Sequence, residues 1–260
     1  MTPIGFRELP HWSEDELHCA PTIPGVSFVI PAFNASKTLF RCVGSCFEQS
    51  TSPLEVIVVD DHSIDATPAV VDDLRGVFGI DLGYVRNYRN LGVSAARNRG
   101  ARVACGEYLC YLDADDIAPP QRVEQVLIEF AAGADMIYGQ QEFFDGNDLS
   151  RRMKLRPKTE LPTVRNYLGC GCGGSAISVR RSLHLDRGIW WDEQMGVAED
   201  ADFLLACLSA GVQVECSDNV YSYRRRSNES LTHKGDWVTM REYMRKKYQK
   251  WTTEHFGSGN

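Results

Sequence analysis

The chain has 260 residues, 43% hydrophobic and 24% charged, with a net charge of −7. That is enough apolar mass for one large α/β domain or two small ones, and the acidic balance excludes a general nucleic-acid binder, whose phosphate contacts need a basic surface. Nine cysteines with no CxxC pair exclude a zinc ribbon or a thioredoxin-like site.

Several of these cysteines sit inside apolar segments, where the thiol acts as a small hydrophobe. Such usage fits a reducing cytosol better than a disulfide framework. Residues 1–25 are polar and proline-bearing, without the basic start and apolar core of a signal peptide. No stretch approaches the roughly 18 apolar residues needed to span a bilayer. A cytoplasmic protein is expected.

Val26–Ile30 is an apolar run stopped by Pro31 and reads as a buried strand. The spacing of Leu39, Val43, Cys46 and Phe47 predicts a helix over Ser36–Gln49, with Asn34 or Ser36 as its cap. Leu54–Val59 is a second buried strand and ends in Asp60-Asp61. Thr67-Pro68 opens a helix as a cap followed by proline. Leu82–Arg86 is a weaker strand, and Gly92–Ala104 a helix carrying Arg97, Arg99 and Arg102. Glu107–Leu112 is a strand, Pro119–Ala131 a helix, Asp135–Tyr138 a short strand and Ala198–Ala210 a helix. Strands apolar on both faces and alternating with helices imply a mostly parallel, Rossmann-like sheet flanked by helices, in one large domain.

Ligands of such sheets bind beyond the carboxyl ends of the strands. Pro31-Ala32-Phe33-Asn34, Asp60-Asp61 and Asp113-Ala114-Asp115-Asp116 all fall just after strands and converge on one crevice. Acids crowded at the end of a buried strand repel one another. A hard divalent cation bridging one or two carboxylates to substrate phosphates is the usual remedy, although acids capping the next helix give the same pattern. Gly92 at a helix start and Arg97 one turn later can seat phosphate or nucleotide, whereas Arg99 and Arg102 read as a solvated face.

The segment 169–174 literally matches GxGxxG, but Asn166-Tyr167-Leu168 is a poor strand and the position is far from the first strand. Glycines that let backbone approach a substrate explain it better. Glu199-Asp200 at a helix start is either first-turn dipole stabilisation or a general base beside a substrate hydroxyl. Tyr221–Ser230 reads as a basic loop able to clamp a diphosphate through Arg224–Arg226, with His233 beyond it as a nitrogen that a metal could take. Trp237, Met240, Met244, Tyr248 and Trp251 form a stripe among basic residues. That helix either packs on the domain or lies on an anionic membrane.

Together these motifs resemble the family-two glycosyltransferases of the GT-A fold. Ser27–Asn34 is similar to the family's opening strand and turn, and Asp60–Thr67 to its DDxSxDxT signature. Asn90–Gly100 is similar to the NxGxxxARNxG helix, Asp113-Ala114-Asp115-Asp116 to the metal-binding DxD, and Glu199-Asp200 with Asp202-Phe203 to the ED motif. The resemblance implies that Asp61 holds the nucleobase, with Pro31, Phe33 and Asn34 lining its pocket and Asn90, Arg97, Ala114 and Arg224 completing the nucleotide site. It implies that Asp113 contacts the ribose, that Asp115 beside Asp113 holds Mn²⁺ or Mg²⁺, and that Asp200, beside Glu199, takes the acceptor proton; His233 as a further metal ligand stays open. The implied reaction is inverting transfer from a nucleotide sugar, most often a UDP-sugar, to a saccharide, lipid-linked or other hydroxyl acceptor. A QxxRW motif is absent, which removes the processive polysaccharide synthases as close relatives.

The implied organisation is an N-terminal extension (1–25), a nucleotide-sugar-binding half (26–116), an acceptor and catalytic-base half (117–235) and a C-terminal amphipathic helix (236–260). Peripheral contact with the inner membrane face through that helix, and a homodimer, both stay open. The competing readings are a haloacid-dehalogenase-like phosphotransferase, which would need its DxD near the N-terminus and Thr or Val where Ile117 stands, and an inactive nucleotide-sugar-binding protein.

Overall fold

Strand β1 (Ile23–Ala32) is buried along its last seven residues and begins the centre of the sheet. In the computed structural model, which describes residues 21–146, 148–154, 173–226 and 236–256, it pairs in parallel with β2 (Glu55–Asp60) and with β4 (Gly106–Tyr111). Strand β3 (Leu82–Arg86) extends the parallel set beyond β2. Every one of these strands therefore ends at the same edge, and with it the three polar turns of the sequence.

The helices between them are α1 (Leu39–Phe47), α2 (Thr67–Phe78), α3 (Val93–Val103) and α4 (Arg122–Ala131). Helix α1 is shorter than the predicted span. Neither Asn34 nor Ser36 caps it; Asn34 turns instead through positive φ, and its Oδ1 accepts the amide of Ile64. Thr67 is the first helical residue of α2 rather than its cap, because Asp65 Oδ1 accepts both its amide and its hydroxyl.

The second half departs more from expectation. The expected short strand is β5 (Met136–Asp145), and β6 (Asp148–Lys154), β7 (Ile177–Arg180) and β8 (Val214–Arg226) join it. The order is β3-β2-β1-β4-β7-β5-β6, with β8 pairing β5 in parallel. Strand β7 runs against both β4 and β5. Two reversals leave β5 and β8 parallel to β4, so one edge still serves both halves. The segment Tyr221–Arg226, read as a loop, is the end of β8; Ser222 through Arg226 pair one after another with β5.

A short α5 (Ser182–Leu185), α6 (Glu199–Ser209), α7 (Trp237–Lys247) and α8 (Gln249–Phe256) complete the chain. The C-terminal stripe packs on the domain: Met244 and Tyr248 bury themselves against Met195, Ala198, Ala201 and Leu205. Lys247 adds ion pairs to Asp192 at 2.6 Å and Asp202 at 2.9 Å. Among the described residues no helix is long and apolar enough to cross a membrane.

Candidate active site

Helix α3 is the frame of the site. Gly100 lets it lie directly on β1, since a Cβ there would strike Val29. Arg97, on the preceding turn, is almost wholly buried and forks between two acids: Nη2 donates to Asp113 at 2.8 Å and Nη1 to Glu199 at 3.0 Å. Its guanidinium lies 4.4 Å above the Trp191 ring. Asn98 holds that tryptophan's loop by donating to the Trp191 carbonyl and accepting its amide. Arg99 and Arg102, expected on a solvated face, are engaged: Arg99 donates to Asn87 Oδ1 and Arg102 stacks on Trp190.

The acidic turn after β4 is held on three sides. Cys42 of α1 bonds the Asp113 carbonyl, and the Asp113 amide donates to Ser175 Oγ at 3.0 Å. Ile117 pairs with Tyr223 of β8, while Asp116 accepts the amide of Arg225 and the Ser222 hydroxyl. Arg225 Nε also donates to the Asp115 carbonyl. Burial alone would raise Asp113, but the Arg97 guanidinium keeps its carboxyl below the usual range. Asp115 has no such partner; burial first, then the charge of Asp113, raises it. Asp116 is raised further by burial and by both neighbouring acids.

This chemistry suits a cation that the turn itself does not supply. Among the described residues no three His, Cys, Asp or Glu side chains form a closed metal cluster. An open site on Asp115, completed by phosphate and water, is what Mg²⁺ prefers. His233 lies outside the described residues.

The ED pair opens α6 from a strained start. Ala198, its N-cap, sits at φ 60°, ψ 23°, a left-handed conformation costly for a residue with a Cβ. The described non-glycine residues with positive φ are Asn34, His62 and Ala198, which border the strand-end turns or the ED pair. Burial first, then the Glu199 charge, pushes Asp200 up to about 8. A carboxylate so raised is a stronger proton acceptor than an exposed one. Arg224, on β8 rather than a loop, exerts its charge on Asp113, Asp115 and Asp200 together.

The turns after β1 and β2 continue the same sheet edge on the side away from β7. Asp61 accepts from Asn87 Nδ2 and from the amides of Leu91 and Gly92 at 2.7–2.9 Å, which ties β2 to the start of α3. Pro31 is buried, whereas Phe33 (49% exposed), Asn34 and Asn90 face solvent. Ala114 is buried within the acidic turn. The glycines of the GxGxxG match that the structure describes approach side chains: a Cβ at Gly174 would collide with the Arg97 guanidinium. Ser175 ends the glycine-rich segment 169–175 that the sequence suggests for contact with the acceptor, and it bonds the Asp113 amide instead. Trp191, which lies under Arg97, was not assigned to the site from sequence, since a lone tryptophan carries no spacing signal.

The sequence profile of glycosyl transferase family 2 matches residues 27–187, and the chain belongs to that family. The amylovoran biosynthesis glycosyltransferase AmsB of Erwinia amylovora is 31% identical over 224 residues, 82% of this chain and 73% of that protein. The succinoglycan biosynthesis protein ExoO of Rhizobium meliloti is 35% identical over 207 residues, 73% of this chain and 57% of that protein. Among solved structures, S. aureus TarS in complex with UDP superposes with a TM-score of 0.64 at 19% identity, over 89% of this chain and 72% of that one. That likeness establishes the GT-A architecture, and the protein is a glycosyltransferase.

Proposed function

We propose that the enzyme moves a sugar from a nucleoside diphosphate donor, a UDP-sugar, to a hydroxyl of a saccharide or lipid-linked acceptor, with inversion at the anomeric carbon. The carrying observation is that Arg97 binds Asp113 and Glu199 at once, drawing the acidic turn and the ED pair to one point. Relatives named for amylovoran and succinoglycan synthesis, and TarS crystallised with UDP and with UDP-GlcNAc, support the substrate classes.

In this reading the nucleoside lies between Phe33 and the Asp61 wall. A divalent ion held by Asp115, with Asp113 beside it, would offset the charge gained by the departing diphosphate. Arg224 would add a second positive charge on the same side. Asp200 accepts the acceptor's hydroxyl proton as its oxygen bonds to the anomeric carbon and the bond to diphosphate breaks. One displacement inverts the centre, so the base must stand opposite the leaving group. Glu199, tied to Arg97, fixes the start of α6 and so the aim of Asp200. Helix α7 keeps exposed Arg241, Arg245 and Lys246 beside Trp237 and Val238, and α8 adds Lys250, a surface suited to a peripheral contact with an anionic membrane.

The test is release of nucleoside diphosphate from a panel of UDP-, GDP- and dTDP-sugars with Mn²⁺ or Mg²⁺. Cleavage of UDP-sugars, lost in Asp200→Asn, supports the proposal. Absence of cleavage across the panel contradicts it.

A further inference from the structure

Gln141 on β5 is 4% exposed, yet neither its amide nitrogen nor its amide oxygen has a hydrogen-bond partner. Buried polar atoms in folded proteins are nearly always paired, so a buried amide with both ends free is a marked exception. Gln125 and Glu129 each leave one buried oxygen unpaired, on α4; Gln141 leaves a donor and an acceptor together.

The strand geometry turns this amide toward the site. The register of β5 against β8 slips between Tyr138 and Gln140 and again between Gln140 and Gln141. Such irregularities re-aim side chains and recur beside active sites. After them Gln141 pairs with Ser222, and Phe143 with Arg224. Paired residues share a sheet face, so Gln141 lies on the face of Ser222, which bonds Asp116, and of Arg224. On that face Gly173 abuts the Gln141 amide, and a Cβ there would meet it at 2.5 Å. The next residue, Gly174, abuts Arg97, and Ser175 after it bonds Asp113. An unbroken chain of contacts thus runs from the acidic turn to Gln141. In sheet order it leads from β4 toward β5, away from the Asp61 wall on β2.

We propose that Gln141 is a specificity-determining residue that reads the transferred sugar, its amide donating to one polar substituent of the ring and accepting from a neighbouring hydroxyl. The inference rests on the nucleotide-sugar reading above. A donor lying with its nucleoside at β1–β2 and its diphosphate at β4 carries its sugar toward β5. A site built to pair with a hydroxyl rejects an analogue that lacks it, since its own polar atoms are then left buried and unpaired. Without substrate the unpaired amide destabilises the fold, a cost that active sites often carry.

Two variants test this, one apolar and one that keeps the shape of the side chain. Calorimetric titration compares UDP with a set of UDP-sugars, in Mn²⁺, for wild type, Gln141→Leu and Gln141→Glu. Wild type is expected to prefer one UDP-sugar over UDP. Gln141→Leu is expected to bind UDP unchanged and to lose about 10- to 100-fold in affinity for that sugar nucleotide, the effect of two hydrogen bonds. Gln141→Glu, which keeps the acceptor and loses the donor, should fall between. Gln141→Leu should also melt higher than wild type, by about 2–6 °C, because it removes the unpaired amide. Unchanged sugar preference in a folded Gln141→Leu protein overturns the inference while leaving the donor reading intact. Failure of wild type to bind any nucleotide overturns the donor reading and the inference with it.

Discussion

Arg97 and Asp113 form a 2.8 Å ion pair in which the arginine is buried and the acid is partly exposed. The same guanidinium holds Glu199 at 3.0 Å, 102 residues further along the chain. One side chain from the first half thereby sets the distance between the acidic turn and the base-bearing helix.

Removing Arg97 should therefore damage both stability and turnover. Arg97→Ala strips two partly exposed acids of their shared buried cation, a loss of about 1.5–3 kcal/mol for a hydrogen bond between charged groups, and should lower kcat by about 100-fold or more. Arg97→Lys retains the charge but not the fork, so it should recover stability better than activity. Urea unfolding and steady-state kinetics on both variants separate the two effects.

Gly174→Ala should reproduce part of that loss without touching a charged group. The added methyl displaces the Arg97 guanidinium. A misplacement of this kind should reduce kcat by about 10- to 100-fold while the circular dichroism spectrum stays native. A Gly174→Ala enzyme with wild-type kcat would show that Arg97 has room to shift.

Asp200, pushed up to about 8, makes two predictions of opposite direction. Activity should rise with pH as the carboxyl ionises and level off above about 8. Stability should fall over the range from about 4 to 8, because the folded state holds this proton more tightly than the unfolded chain does. Asp200→Asn should lower kcat by about 100-fold or more and remove the ionisation from both profiles. Parallel pH–rate and pH–urea series on the two proteins provide the check.

His184 sets the acid limit. Burial is the main cause holding it down to about 4. Its Nδ1 donates to the Ile189 carbonyl at 2.7 Å, and its Nε2 accepts from the Tyr111 hydroxyl at 2.6 Å. Only the bond from Tyr111 requires the neutral ring; the bond to Ile189 persists in the cation and by itself favours it. The folded pKa is depressed, so this stability is complete above about 6.5 and is lost as pH falls toward 4, by roughly 3 kcal/mol. A His184→Gln protein should lack that slope in urea titrations between those pH values.

The parallel half was legible because its signals are local. Apolar runs of strand length, followed at once by acids, sufficed to place β1, β2 and β4 and to bring their turns to one edge. The second half was less legible because its order depends on reversals between distant segments. Strand β7 is four residues long, and its alternation Ile177-Ser178-Val179-Arg180 is too short a run to stand out from a turn. Arg224–Arg226 read as a basic turn, since three arginines in a row seldom mark a strand. Pairing with β5, and stacking of Arg225 on Phe144 and of Arg224 and Arg226 near Phe143, place them in one. Gln141 gave no signal at all, since an unpaired amide is visible only once its neighbours are known.

The most direct test is calorimetric titration of UDP into the wild-type protein and into Asp115→Ala, first with Mn²⁺ and then with EDTA. Metal-dependent binding to wild type, abolished by EDTA and weakened at least about 10-fold in a folded Asp115→Ala variant, is the expected result. UDP binding of equal strength with EDTA, or undiminished in Asp115→Ala, would contradict a donor site built on the acidic turn.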